Sequence, residues 1–277
     1  MKSPSLIAFL VGCSVIFAAA SLGVHAQEKA DWLNHAKWDE GMAEIGLYEG
    51  RQMKYGSLRR TSLEVVTVRE HFNPDKLVKT DPSPGKTVLP VMKCNQVRRT
   101  RTGVYEYLQM GSAFVDRRDG SLQKISCVSA EWCGNSHATL LRKPGGAGFE
   151  LTVANYFNDE GLSTTEVPAG AIFYDQLLMH LRQNLPALNA GDTFTVAKTL
   201  ISNKPAYATE KATVKTANAN TITLQFPERS ETFVFDNDEL RALRSWSSSL
   251  GERLKRKKLF FNDYWNRNKP GDERILR

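Results

Sequence analysis

Sulfur, histidine and acid are all scarce in this sequence. Its 277 residues include 4 cysteines and 5 histidines, and 30 acidic side chains stand against 37 basic ones, for a net charge of +7. So few cysteines exclude a small disulfide-built scaffold. The histidines His35, His71, His137 and His180 are scattered, with no H-x-x-x-H or C-x-x-C spacing, so no zinc cluster and no metal site is expected. There is no P-loop, no G-x-S-x-G and no dinucleotide glycine pattern, and no cofactor is implied. Beyond the first 26 residues no apolar run reaches the roughly 20 residues of a membrane-spanning helix.

The first 26 residues read as a signal peptide. Lys2 gives a positive start, residues 6–20 an apolar stretch, and Val24-His25-Ala26 the small residues of a cleavage site. Leu10-Val11-Gly12-Cys13 also resembles a lipobox, but cleavage there would leave apolar residues 14–20 on the mature chain. An exported protein, periplasmic or associated with the outer membrane, is the expectation, with lipidation at Cys13 the alternative. Of the cysteines beyond the leader, Cys94, Cys127 and Cys133, an odd count leaves a thiol unpaired. A Cys127–Cys133 bridge would need a turn that Val128-Ser129-Ala130 does not supply.

What the chain has in quantity is alternation. Residues 41–49, 63–69, 88–99, 103–115, 121–133 and 149–154 show the period of two of half-buried strands. The segments 211–216 and 221–226 flank a hairpin turn, and 231–235 and 253–261 add further strands. One helix stands out at 172–185, where Phe173, Leu177, Leu181 and Leu185 recur every fourth residue until Pro186. Asp175 and Arg182 suit its dipole. The predicted fold is mainly β: a curved antiparallel sheet, half-barrel-like, packed against this amphipathic helix. Residues 27–190 form the main part and 191–277 a β-rich C-terminal part of the same domain or a subdomain.

The stretch Glu131-Trp132-Cys133-Gly134 draws attention as a thiol site. It begins like the thioredoxin W-C-G-P-C motif, but Ser136 replaces the second cysteine and a βαβ pattern is missing. A cysteine hydrolase would pair Cys133 with His137, about 13 Å along an extended strand unless the chain bends at Gly134. The plainer reading makes Trp132 core, Cys133 a small buried hydrophobe and Gly134 a point of close backbone approach. Asp236, Asp238 and Glu239 read as solvated turn residues.

Two basic clusters offer a different role. Arg98, Arg99 and Arg101 fall together, and Arg253, Lys255, Arg256, Lys257 and Lys258 lie close behind one another. On a strand only alternate members share a face, and such a run on an exposed edge also discourages aggregation. For an exported protein the matching partner is an anionic envelope component: lipid headgroup, lipopolysaccharide or cell-wall polymer, or another envelope protein. Nucleic acid is not expected.

In order along the chain come Trp38-Asp39-Glu40-Gly41, Ala43-Glu44, Tyr55-Gly56, Val78-Lys79, Asn95, Thr102 to Tyr107, Glu131-Trp132-Cys133-Gly134, Tyr156-Phe157 and Glu160-Gly161. Through them the chain resembles a family of uncharacterised exported bacterial proteins, some labelled septum formation inhibitor of the Maf type. The resemblance covers residues 36–185 well and the C-terminal part loosely. Arg69 to Phe72 departs from its pattern, and Cys94 and Cys127 are additions to it. Maf proteins themselves look like nucleotide pyrophosphatases with an N-terminal S-x-S-P-R-R-type phosphate loop, which this chain lacks. The resemblance brings no activity and no catalytic residue with it. The reading reached is a non-enzymatic envelope protein binding a ligand or partner. A lipid or lipopolysaccharide carrier and a Cys133–His137 thiol enzyme are the alternatives.

Overall fold

Strand propensity wins along almost the whole chain. A computed structural model describes residues 31–157 and 161–276; the leader and Cys13 lie outside the described residues. The N-terminal strands are β1 (Ala43–Lys54), β2 (Ser57–Asn73), the short β3 (Val78–Lys79), β4 (Leu89–Arg101), β5 (Glu106–Asp116) and β6 (Leu122–Glu131). After them come β7 (Gly134–Arg142), β8 (Phe149–Asn155), β9 (Gly161–Val167) and β10 (Ile172–Phe173). The helix α1 (Leu177–Asn184) precedes β11 (Thr193–Ala197), β12 (Thr209–Ala217), β13 (Thr221–Gln225), β14 (Ser230–Phe235), β15 (Leu243–Ser248) and β16 (Arg253–Asn262).

These strands make one 16-stranded sheet, in the order β10 through β16, then β1, β2 and β4 through β9, with β3 beside β2. Every ladder is antiparallel except the short parallel pair of β10 and β11. Because β16 pairs with β1, the C-terminal strands continue the same sheet. The sheet curls until its two ends share one core: the Phe149 ring of β8 lies 5.9 Å from that of Phe173 in β10. Phe149, Leu151 and Val153 point into that core while Glu150 and Thr152 face out, the alternation a one-sided sheet requires.

The helix lies within this curl and is shorter than its pattern suggests. Phe173, Leu177, Leu181 and Leu185 are all buried, as the spacing requires. However, Phe173 pairs with Ala197 as a strand residue, and 3-10 turns at 174–176 and 185–187 flank an α-helix of 8 residues. Tertiary pairing overrides local periodicity at its start. Asp175 and Arg182 are not dipole-facing surface residues either, because both are buried with specific partners.

Arg182 belongs to the closed end of the sheet. The turns before β1 place Trp32 and Trp38 there, the Trp38 indole donating to the Trp32 carbonyl at 2.7 Å. The Arg182 guanidinium sits 4.5 Å from the Trp32 ring and donates twice to Glu44, both bonds 2.8 Å. Asp39 receives Arg117 through bonds of 2.6 and 2.8 Å and also binds Arg69. Arg117 and Arg69 hold the Asp39 carboxyl down at about 2, Arg117 contributing most. Asp236 forms a separate cluster at this end, bound by Arg256 and Arg244. Its place in a turn suggests a solvated residue, but the flanking strands bury it.

Candidate ligand-binding cavity and hairpin rim

The opposite end carries the hairpin tips of β1–β2, β4–β5, β6–β7 and β13–β14, together with the crossing segment 198–208. Under it lies a cavity of about 270 Å³. Leu63, Leu177, Leu178, Phe233, Leu243 and Leu254 give it apolar walls. Its polar wall is a network built on Glu231, which accepts from the Tyr174 hydroxyl at 2.5 Å, the Trp246 indole at 2.9 Å and Arg229 Nε at 2.6 Å. Arg229 also grips Glu210 at 2.8 and 3.1 Å. Burial and the neighbouring Glu231 carboxylate hold the Tyr174 hydroxyl protonated, well above its ordinary value.

Asp175 closes the floor. Its carboxylate accepts from Thr199 Oγ1 at 2.7 Å and from the Leu200 amide at 2.9 Å, pinning segment 198–208 over the cavity. Burial raises its pKa against these bonds.

Arg98 lacks such a partner. It lies on the inward register of β4 with Met92, Cys94 and Gln96, and it lines the cavity. Among the described residues it makes no ion pair, and its Nε has no hydrogen-bond partner. Burial lowers its pKa, against the pull of Tyr174, Glu252, Asp175 and Glu231 at longer range. An arginine keeps its charge in such a place, and five N–H donors then remain for an anion.

The expected arginine cluster is therefore divided. Arg98 points inward, whereas Arg99 points outward to Glu64 at 2.6 Å and Arg101 lies outside near Glu106 at 3.7 Å. The second basic run is divided for the same reason. It is no edge, because β16 pairs on both sides. Arg256 is bound to Asp236, Lys257 lies 3.8 Å from Glu49, and Lys258 donates to the Ile275 carbonyl at 2.9 Å. Arg253 and Lys255 are exposed.

Glu131 to Gly134 is not core. Glu131 pairs with Gly134, so Trp132 and Cys133 form the two-residue tip of the β6–β7 hairpin, and the Trp132 side chain is 77% exposed. The reading of Trp132 and Cys133 as buried fails because a tight turn places them beyond the last ladder pair. Close approach does hold at Gly134: a side chain there would begin 2.3 Å from the Tyr156 ring. Cys133 faces a carboxylate rather than a histidine or a cation. Its amide donates to Glu131 Oε2 at 2.8 Å, and Glu131 raises the thiol pKa. His137 stands on the outer face of β7, 3.3 Å from Thr139 Oγ1. That is three register positions from Gly134, or about 10 Å along the strand.

Cys94 and Cys127 are buried and free. They sit on β4 and β6 with β5 between them, about 10 Å apart at ordinary strand spacing and beyond the ~7 Å a disulfide spans. Among the described residues no group of histidine, cysteine and carboxylate side chains could hold a metal.

Sequence reasoning missed Glu231 and Tyr174. Glu231 was detectable, since it shares the buried register of β14 with Phe233 and Phe235. A charge in an apolar register is the signal.

No family model matches the chain, and no curated protein matches it. The chain is similar in fold to the β-barrel-like protein of a domain of unknown function, DUF1849, from Brucella abortus. The likeness has a TM-score of 0.46 and 9% identity, covering 80% of this chain and 97% of that one.

Proposed function

We propose that this is an exported cell-envelope protein that binds a small amphipathic anion in the cavity beneath its curved sheet. The observation that carries the reading is Arg98: a half-buried guanidinium with a buried, unpartnered Nε and no ion pair, facing a cavity with apolar walls on one side and the Glu231 network on the other. Leaving such a charge unpaired is costly for folding alone. A ligand carboxylate or phosphate would pair with it, while its apolar part meets Leu63, Leu177, Phe233 and Leu254. The volume of about 270 Å³ lies just under the usual range of about 300–1,000 Å³ for small-molecule sites. It suits one short chain and not the several chains of a lipopolysaccharide anchor. Binding rather than catalysis is supported by Cys133, whose charged neighbour Glu131 disfavours the thiolate instead of stabilising it.

The test is displacement of a fluorescent fatty acid by decanoate, monitored on the wild-type protein and on Arg98→Gln. Saturable binding by the wild type and a loss of about tenfold or more in the variant are expected, the order of one charge-assisted contact. Equal binding by both proteins would remove the cavity reading.

A further inference from the structure

The outer surface at the hairpin end carries a second feature, on the opposite face of the sheet from the cavity. Arg51 of β1 stands directly opposite Arg253 of β16 and Arg60 of β2. Arg101 lies one position beyond the Thr61–Thr100 pair of β2 and β4, so it extends the row onto a fourth neighbouring strand. All these side chains are exposed. Like charges directly opposite one another destabilise a sheet, so nothing in strand pairing explains four arginines in a line. The nearby carboxylates dilute the row only in part: Glu49 lies 4.0 Å from Arg60 and Glu106 lies 3.7 Å from Arg101. Among the described residues Arg51 and Arg253 have no ion-pair partner. Arg60, Arg99 and Arg101 border a recess of about 280 Å³, which Glu49 and Glu106 also line.

Past this row the surface turns apolar. Met53 and Leu58, a cross-strand pair, are 40% and 38% exposed. At the tips, Tyr55 is 62%, Val104 84% and Trp132 77% exposed. The tips are tied into a ridge. Buried Tyr107 links them: its ring lies 6.2 Å from that of Tyr55 and 5.8 Å from that of Tyr105, and Tyr105 lies 6.2 Å from Trp132, all tilted contacts. The Tyr55 hydroxyl bonds those of Tyr107 and Tyr105, and Lys54 Nζ lies 3.8 Å from the Tyr107 ring centre. A ridge so linked is held ready rather than left to fray.

We infer that this edge docks on an anionic lipid bilayer. Amphipathic rings and aliphatic tips enter the headgroup–acyl boundary to about 5–10 Å. The arginine row stands four residues behind Tyr55, about 13 Å along the strand before the reach of its long side chains toward the tip is counted. That places guanidinium groups at the headgroup phosphates, where anionic lipid attracts them. A soluble polyanion would satisfy the arginines but gives no role to exposed Val104, Met53 and Leu58, so the bilayer is the occupant the surface fits.

The experiment is flotation of the full chain with vesicles of neutral phosphatidylcholine alone and of phosphatidylcholine with a quarter phosphatidylglycerol, at low and high salt. Wild type is compared with Arg51→Gln/Arg60→Gln/Arg101→Gln and with Val104→Ser/Trp132→Ser. Residues before 31 are identical in all three proteins, so differences report on the rim. Thermal melts establish that each variant is folded. Binding that requires phosphatidylglycerol, weakens with salt, falls by about a hundredfold in the arginine variant and by about tenfold in the tip variant is the expected result. Two results overturn the proposal. One is arginine-variant binding equal to wild type. The other is dependence on the arginines without dependence on Val104 and Trp132, which would point to a soluble polyanion. Decanoate binding in the cavity is measured separately and is unaffected by either rim variant.

Discussion

The two ends of the sheet pair their charges to different extents. At the closed end the buried ions among the described residues are answered: Arg182 by Glu44, Arg117 by Asp39, Asp236 by Arg256. Tryptophans cover the first of these pairs, and the helix caps the core. At the hairpin end Arg229 is likewise paired with Glu231 and Glu210, but Arg98 is half-buried without an ion pair, four arginines line up outside, and the aromatic tips stand in solvent. It is at the hairpin end that charge is left over for a ligand.

The sharpest way to break this contrast is to unpair the closed end. Glu44→Ala leaves Arg182, 4% exposed, without its partner. A loss of about 3–5 kcal/mol in chemical denaturation is expected; a loss below about 1 kcal/mol would mean that the end is not built around that pair. At the rim, Gly134→Val drives a side chain into the Tyr156 ring, 2.3 Å away. The ring can swing outward, so about 1–3 kcal/mol is expected, with altered tyrosine fluorescence as the local readout.

A smaller, pH-dependent effect comes from Asp39. Its pKa falls from 3.8 to about 2 on folding, chiefly through Arg117. A carboxyl lowered in this way adds stability that is complete above its unfolded value and is lost as pH falls through the folded one. The stability gap between wild type and Asp39→Asn is therefore expected to be full at pH 6 and to shrink between about pH 4 and 2. A gap that does not change with pH would show that the carboxylate charge is not what Arg117 uses. The smallest effect is expected at the rim itself. Trp132→Ala changes stability by no more than about 0.5 kcal/mol, because the ring is exposed, whereas Trp38→Ala costs about 3–5 kcal/mol.

The sequence was legible where one residue's surroundings follow from period alone. Phe149, Leu151 and Val153 face the core as their alternation requires, and the buried face of the helix is the one its four-residue spacing marks. It failed where pairing partners decide. Phe173 has a helical neighbourhood but pairs with Ala197, and the second basic run looks like an edge but lies between β15 and β1. The Trp132-Cys133 pair looks like core because both residues are apolar, yet register puts them in a turn. Arg98 reads in the sequence as part of a surface cluster. Its inward register with Met92 and Cys94 could have been read from β4, but the lack of a counter-ion depends on strands 100 residues and more away. The row Arg253, Arg51, Arg60 was invisible for the same reason, since its members meet only through sheet order.

The most direct measurement is the thermal and denaturant stability of Arg98→Met in the absence of ligand. If Arg98 is kept for an anion and has no structural partner, replacing it with an apolar side chain of similar length relieves a partly desolvated charge. The variant is then expected to be more stable than wild type by about 1 kcal/mol or more, while decanoate binding is lost. A variant less stable than wild type by a similar amount would show that Arg98 is a structural residue, and that the hairpin end is held together like the closed one.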